Sequence, residues 1–128
     1  MNLLLDTHTL IWFSGGNQKM LSAKSRSAIE DITNDKFVSI ASFWEIAIKV
    51  SLGKLSVKKS LSALNNFMDE NGIILLPVLV EHTIQLLNLK FHHRDPFDRL
   101  LIAQAIEENF HVVTRDKNFS LYNIKTIW

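Results

Sequence analysis

Four carboxylates stand where predicted strands end or predicted helices begin: Asp6, Glu45, Asp98 and Asp116. In an open parallel sheet such positions gather at the carboxyl edge, where these folds bind their ligands. Clustered carboxylate oxygens are the ligands that hard cations such as Mg²⁺ and Mn²⁺ prefer. Such ions can activate a water and stabilise the attacking and leaving oxygens during phosphodiester cleavage. The pattern therefore predicts a divalent-metal site suited to phosphodiester hydrolysis.

The acidic residues also have simpler structural explanations when each is considered alone. Ser42 and Glu45 have the spacing of a capping box at a helix start. Asp95, which a proline follows, fits an N-cap, and Asp6 and Asp116 could each cap a turn. Capping gives no reason, however, for four acids to converge at one edge of a sheet. We therefore favour the metal site for the set, and a capping role for Ser42 and Asp95.

Asp95 and Asp98 both lie in the first turn of one predicted helix. Pro96 at the first helical position makes Asp95 the expected N-cap, with its carboxylate used by a backbone N–H. Asp98 is then free to project from the helix end, and it is the better candidate for a metal ligand.

Short apolar segments alternate with longer segments of helical periodicity, which is typical of a parallel sheet covered by helices. The predicted strands cover residues 2–5, 36–40, 73–76, 111–114 and 123–127. A short predicted helix follows Thr7, and longer ones cover residues 22–32, 42–52, 61–71, 80–89 and 95–109. Unbroken apolar runs, such as the one at residues 3–5, indicate strands buried on both faces. The predicted fold class is α/β with a central, mainly parallel sheet.

The composition describes one domain and excludes several classes of protein. With 128 residues, 47% of them apolar, the chain can form a single hydrophobic core over residues 1–128. It has no cysteine, so disulfides, cysteine zinc sites and thiol catalysis are excluded. The net charge of +1 does not by itself indicate nucleic-acid binding. No apolar run approaches the roughly 20 residues of a membrane span, and the N-terminus lacks signal-peptide features, so we expect a cytoplasmic protein.

Four motifs, in this order along the chain, resemble the PIN-domain family. They are LLLDTH at residues 3–8, SFWEIAIK at 42–49, DPFDRLLIA at 95–103 and VVTRD at 112–116. The closest resemblance is to the VapC-like toxins of prokaryotic toxin–antitoxin pairs, and it spans nearly the whole chain. Each motif alone is weak, but their combination at this chain length is specific.

The resemblance implies a three-layer α/β/α sandwich and an endoribonuclease that uses Mg²⁺ or Mn²⁺. By motif match, the same four acids would bind the metal and act in catalysis. Thr114 and Thr7 match polar positions beside them, and Thr114 would orient Asp116 or a water. The implied partners are an RNA substrate, a cognate antitoxin protein and a second copy of the chain in a homodimer.

Basic residues near the acids fit the same chemistry, because cations help a phosphate backbone to approach a negative pocket. Lys49 lies one turn beyond Glu45 on the same predicted helix face. The other candidates for contacts with the RNA backbone are Arg94, Arg99, Arg115 and Lys117. Each of these side chains could equally be a salt-bridge partner of an acid or an ordinary solvated charge.

The same residues bear on several other functions. His92 and His93 suggest zinc, but adjacent histidines point in different directions and no third soft ligand accompanies them. A receiver-type phosphoacceptor domain needs adjacent acids after the first strand, and a haloacid-dehalogenase-type phosphatase needs a second Asp two positions after the first. Thr7 and His8 occupy those positions. An inert PIN-like binding module, or a PIN-like nuclease acting on DNA flaps or in RNA processing, remains an alternative.

Overall fold

A five-stranded parallel sheet forms the centre of the protein. The computed structural model describes all 128 residues. The strands are β1 (Asn2–Leu5), β2 (Asp35–Ser39), β3 (Ile73–Leu76), β4 (His111–Val113) and β5 (Thr126–Ile127). Their order across the sheet is β3-β2-β1-β4-β5, and every neighbouring pair is parallel. Strand β1 is therefore central, which explains why its side chains form an unbroken apolar run.

Six α-helices cover the two faces of this sheet. They are α1 (Thr7–Ser14), α2 (Ala23–Glu30), α3 (Ile40–Ser51), α4 (Leu61–Glu70), α5 (Val80–Leu87) and α6 (Pro96–Glu108). Two short 3₁₀ helices, Gln18–Met20 and Lys117–Leu121, lie in the connections. None of the helices has the length and apolar character required to cross a membrane.

The hydrophobic core lies in two parts, one on each side of the sheet. Leu3 and Leu5 belong to the part that α1 to α4 cover, whereas Leu4 points into the part that α6 covers. This alternation follows from the two-residue period of a strand, which sends successive side chains to opposite faces. Helices on both faces make a three-layer α/β/α sandwich, so the predicted fold class is confirmed.

The predicted start of α3 is wrong by two residues, and so is the capping role predicted for Ser42. Ser39 is the N-cap, and its Oγ accepts a hydrogen bond from the Ala41 N–H at 3.0 Å. Strand β2 ends at Ser39 in extended backbone, so the helix begins immediately afterwards and encloses Ser42. Ser42 is buried beside Thr7, and Glu45 is not part of a capping box.

The strand order brings the chemically interesting segments to one edge of the sheet. Asp6 directly follows β1, residues 114–116 follow β4, and α3 follows β2. Because β1 lies between β2 and β4, these three segments leave the sheet side by side. Helix α6 packs against α3 and brings its own first turn to the same region.

Candidate active site

Asp6 is buried at the carboxyl end of β1, and both of its carboxylate oxygens have donors. Its Oδ1 accepts the N–H of Thr9 at 2.8 Å, which caps α1, and its Oδ2 accepts the hydroxyl of Thr114 at 2.5 Å. Burial raises the pKa of Asp6, and the hydrogen bonds from Thr114 and Thr9 act in the opposite direction. The side chain is therefore fixed in one orientation at the edge of the sheet.

Thr114 connects Asp6 to Asp116. The hydroxyl that donates to Asp6 also accepts the backbone N–H of Asp116 at 3.0 Å. Asp116 in turn caps the 3₁₀ helix that follows it, with Oδ1 accepting the N–H of Asn118 at 2.9 Å. Asp6 and Asp116 line one cleft of about 230 Å³, together with His8, Trp12 and Arg115.

Glu45 is buried on α3 and is held by two side chains. Its Oε1 accepts the hydroxyl of Thr7 at 2.7 Å, and its Oε2 accepts the ammonium of Lys49 at 2.5 Å. The hydroxyls of Thr7 and Ser42 are 2.9 Å apart. Because the single hydrogen of Thr7 goes to the carboxylate, the Ser42 hydroxyl supplies the hydrogen of this second bond. Thr7 directly follows Asp6, so Glu45 is tied to the end of β1.

Asp98 lies in the first turn of α6, where its Oδ2 is 3.1 Å from Nε2 of His93. Burial is the largest cause that raises the pKa of Asp98, which is about 7. The charges of Asp95 and Asp116 raise the pKa, whereas His93 lowers it. Asp98 therefore lies within the electrostatic field of the acids at the sheet edge.

Asp95 acts as the N-cap of α6, with Pro96 at the first helical position. Its Oδ1 accepts the N–H of Asp98 at 2.9 Å. This bond uses the carboxylate of Asp95 for the helix start and leaves the side chain of Asp98 to the site.

His93 contacts Asp98 and Tyr122 contacts His93, and the sequence predicts neither contact. Nδ1 of His93 is 2.8 Å from Oη of Tyr122, so the ring is held on one side by Tyr122 and on the other by Asp98. The position of His93, five residues before Asp98, was the one available signal. Tyr122 lies in an irregular segment far along the chain, and nothing in its local sequence marks it.

Arg99 does not have the role predicted for it as a contact to the RNA backbone. Its side chain is buried, where the guanidinium donates to the carbonyl of Lys90 at 2.8 Å and to Oη of Tyr122 at 3.0 Å. It also stacks on the ring of Phe91, with 3.9 Å between the guanidinium carbon and the ring centroid. Arg99 therefore anchors the loop before α6 and is inaccessible to a substrate.

The remaining predicted cations differ in how close they lie to the acids. Arg115 and Lys117 are exposed on either side of Asp116 in the chain, and Arg115 lines its cleft. Arg94 is exposed too, but it lines a different cleft with Phe91. Arg115 and Lys117 are thus better placed than Arg94 to meet a phosphate at the acidic edge.

The four acids suit a hard divalent cation in their chemistry, because every donor is an oxygen. The raised pKa of Asp98 reports an excess of negative charge that a cation would relieve. No three Asp, Glu or His side chains are grouped closely enough to coordinate one ion together. Glu45 and Asp98 are at present engaged by Lys49 and His93, and binding of one ion by several of these acids would require those contacts to be exchanged.

Comparisons with known proteins agree with this architecture. The family model of the PIN domain matches residues 3–125. The structure of VapBC2 from Rickettsia felis, bound to a promoter DNA fragment, has a TM-score of 0.66 at 16% identity, covering 98% of this chain and 97% of that chain. VapBC-1 from nontypeable Haemophilus influenzae has a TM-score of 0.71 at 16% identity, covering 98% and 96%.

A third similar structure is a toxin–antitoxin complex from Klebsiella pneumoniae, with a TM-score of 0.57 at 13% identity, covering 98% of this chain and 96% of that chain. At sequence identities this low, the structural similarity establishes a shared fold and no more. No curated protein matches the sequence at a significant level.

Proposed function

The chain belongs to the PIN domain family, and on this premise we propose that residues 1–128 form a single metal-dependent endoribonuclease domain. It hydrolyses RNA phosphodiester bonds in the cytoplasm as the toxin of a toxin–antitoxin pair. One observation carries the proposal: a single hydroxyl, that of Thr114, links Asp6 to Asp116 across adjacent strand ends. Glu45 is tied to the same point through Thr7, the neighbour of Asp6.

Asp6, Glu45, Asp98 and Asp116 are the residues that we assign to holding Mg²⁺ or Mn²⁺. When bound, the ion supplies an activated water and neutralises charge that develops on the phosphate. The protein contributes orientation, because hydrogen bonds from its own groups restrict Asp6 and Glu45 before any substrate arrives.

Positive charge at the cleft would hold the substrate backbone. Arg115 and Lys117 flank Asp116, and Lys49 lies beside Glu45. Such contacts position a phosphate chain but carry no sequence information, because every nucleotide presents the same phosphate group.

The test of the nuclease activity is cleavage of an RNA mixture by the purified protein with Mn²⁺ or Mg²⁺. Asp98→Asn should reduce the rate by about 100-fold or more, because it removes one proposed ligand charge. Asp69→Asn, an equal charge change at an exposed position on α4, is the matched control and should cleave normally. Absence of cleavage with either ion, or full activity of Asp98→Asn, would contradict the proposal.

An antitoxin partner is supported by a second groove beside the acidic cleft. This groove, about 240 Å³, is lined by apolar side chains such as Ile11 and Leu64 and by polar ones such as Lys58. His8 and Trp12 line both the groove and the acidic cleft, so the two adjoin each other. A partner segment with apolar side chains in the groove could extend a basic residue over the carboxylates. Growth arrest on expression, relieved by co-expression of the adjacent gene, tests the toxin role.

A homodimer is supported by an apolar stripe on α5. Val80, Ile84 and Leu87 are 69%, 54% and 85% exposed, and their spacing places them on one face of the helix. A twofold interface must be complementary to itself, and an uncharged apolar stripe meets this requirement. We therefore assign the stripe to a second copy of the chain.

A further inference from the structure

We propose that Lys49 is a built-in counterion that competes with the divalent metal for Glu45. Glu45 exchanges the ammonium of Lys49 for the metal ion, so the free energy needed to displace Lys49 limits the affinity for the metal. The inference rests on the proposed metal-dependent function, and it concerns a residue whose expected role was only to contact RNA.

Glu45 is a buried carboxylate whose negative charge must be compensated by a neighbouring group. Its side chain is only 6% exposed, and a buried carboxylate needs compensation for its lost hydration. Thr7 provides a hydrogen bond to Oε1 but no charge. Lys49 provides the charge, with its Nζ 2.5 Å from Oε2, and it is the one cation that forms an ion pair with Glu45.

The ammonium group of Lys49 lies in the field of the same acids that would hold the metal. It donates a hydrogen bond to Oε2 of Glu45, and the negative charges of Glu45, Asp95 and Asp98 all attract it. A divalent ion placed among these carboxylates would be repelled by the ammonium at short range and low dielectric. The two cations therefore exclude each other from Oε2.

The ammonium group of Lys49 can leave Glu45 for solvent. Its side chain is 34% exposed, so the ammonium can move into solvent without any change in the backbone of α3. An ammonium on a flexible stem is strongly hydrated, which favours release more than the bidentate grip of a guanidinium would. Once displaced it stays tethered at the rim of the site, where it can meet a substrate phosphate.

The experiment measures Mn²⁺ affinity by calorimetry, and the melting temperature in chelator and in Mn²⁺, for Lys49→Met. The variant should bind Mn²⁺ at least about tenfold more tightly than the original chain, because it lacks the competing charge. In chelator it should melt at a lower temperature, because Glu45 loses its counterion. Lys49→Gln, which keeps a polar side chain, should behave in the same way.

Two controls separate competition from other effects. Lys54→Met removes one charge at an exposed position just after α3 and should leave both quantities nearly unchanged. Lys49→Arg keeps the charge and should bind Mn²⁺ no more tightly than the original chain does. Opposite changes in melting temperature and affinity are the signature of competition, since a purely structural lysine would lower both or leave affinity unchanged.

The outcomes distinguish this inference from the proposed function. If the original chain binds Mn²⁺ and Lys49→Met binds it no more tightly, the inference is overturned while the metal site stands. If the original chain binds neither Mn²⁺ nor Mg²⁺, the proposed function fails as well, and the inference falls with it.

Discussion

Two carboxylates of the proposed metal site, Asp6 and Asp116, are also the N-caps of helices. Asp116 caps a 3₁₀ helix through Oδ1, and its Oδ2 has no hydrogen bond from the protein. Asp6 caps α1 through Oδ1 and receives Thr114 at Oδ2. Capping and metal binding, which looked like competing explanations in the sequence, are compatible. A cap fixes the direction of the side chain, and a fixed carboxylate is a better preorganised ligand.

Asp95 and Asp98 offer a direct test of which carboxylate caps α6 and which binds the metal. Asp95→Asn should be nearly neutral for stability because asparagine caps as well as aspartate, whereas Asp95→Ala should cost about 1 kcal/mol of unfolding free energy. Both Asp95 variants should keep Mn²⁺ binding, and Asp98→Asn should lose it while remaining folded. Denaturant unfolding and Mn²⁺ calorimetry measure these quantities. Loss of binding in Asp95→Asn with normal binding in Asp98→Asn would assign the ligand to Asp95 instead.

The raised pKa of Asp98 predicts how stability depends on pH in chelator. The pKa is about 7 in the folded chain, against an ordinary value of 3.8. Between these values the folded state holds a proton that the unfolded state has lost, so the free energy of unfolding falls as pH rises toward about 7 and levels off above. Denaturation series at several pH values measure this slope.

Asp98→Asn isolates the contribution of this one group from those of other titrating residues. The variant should have a flatter dependence than the original chain, whereas the exposed Asp69→Asn should reproduce the original slope. Mn²⁺ favours the charged form of its ligands and should also flatten the dependence. An identical slope in Asp98→Asn and the original chain would mean that Asp98 ionises normally.

At the level of elements, Thr114 joins the ends of β4 and β1, and an isosteric substitution tests this junction. Thr114→Val removes the donor to Asp6 and the acceptor for the N–H of Asp116 while preserving shape. It should lower the free energy of unfolding by about 1–3 kcal/mol, because buried polar groups lose their partners. Thr114→Ser keeps the hydroxyl and should retain most of the stability. Equal stability of the valine and serine variants in denaturant would show that the junction is unimportant.

Element positions could be predicted from the sequence where local signals are strong. Strands β1 and β3 occupy their predicted residues, and Pro96 correctly indicates the start of α6. The start of α3 was missed because Ser39 and Ser42 are both serines with good capping chemistry. Only the end of β2, which depends on pairing with β1 and β3, decides between them.

The burial of Arg99 could not be predicted either, and the reason is different. Its burial depends on Tyr122 and on the carbonyl of Lys90, which reach it through tertiary packing. Without knowledge of those partners, the position of an arginine beside an acidic motif predicts an exposed cation. The sequence places Asp6 and Asp116 after neighbouring strands, and the two do line one cleft. The partners of the other two acids, Lys49 for Glu45 and His93 for Asp98, could be found only in the structure.

The molecule as a whole presents three surfaces of interest: the acidic cleft, the groove that adjoins it and the stripe on α5. The cleft and groove share His8 and Trp12, so the proposed antitoxin segment in the groove would lie next to the acids. The stripe belongs to α5, which packs against α6.

For the molecule as a whole, we predict that two copies of the chain associate through α5. Ile84→Lys places a charge in the middle of the stripe and should weaken dimerisation by at least about 30-fold, because a buried unpaired charge is costly at an interface. Ile32→Lys is the matched control, since Ile32 is 93% exposed in the loop before β2 and outside the stripe. Light scattering and sedimentation should give a monomer mass for Ile84→Lys and a dimer mass for Ile32→Lys and the original chain. A monomeric original chain at tens of micromolar, or an Ile84→Lys variant that remains dimeric, would remove α5 as the dimer surface.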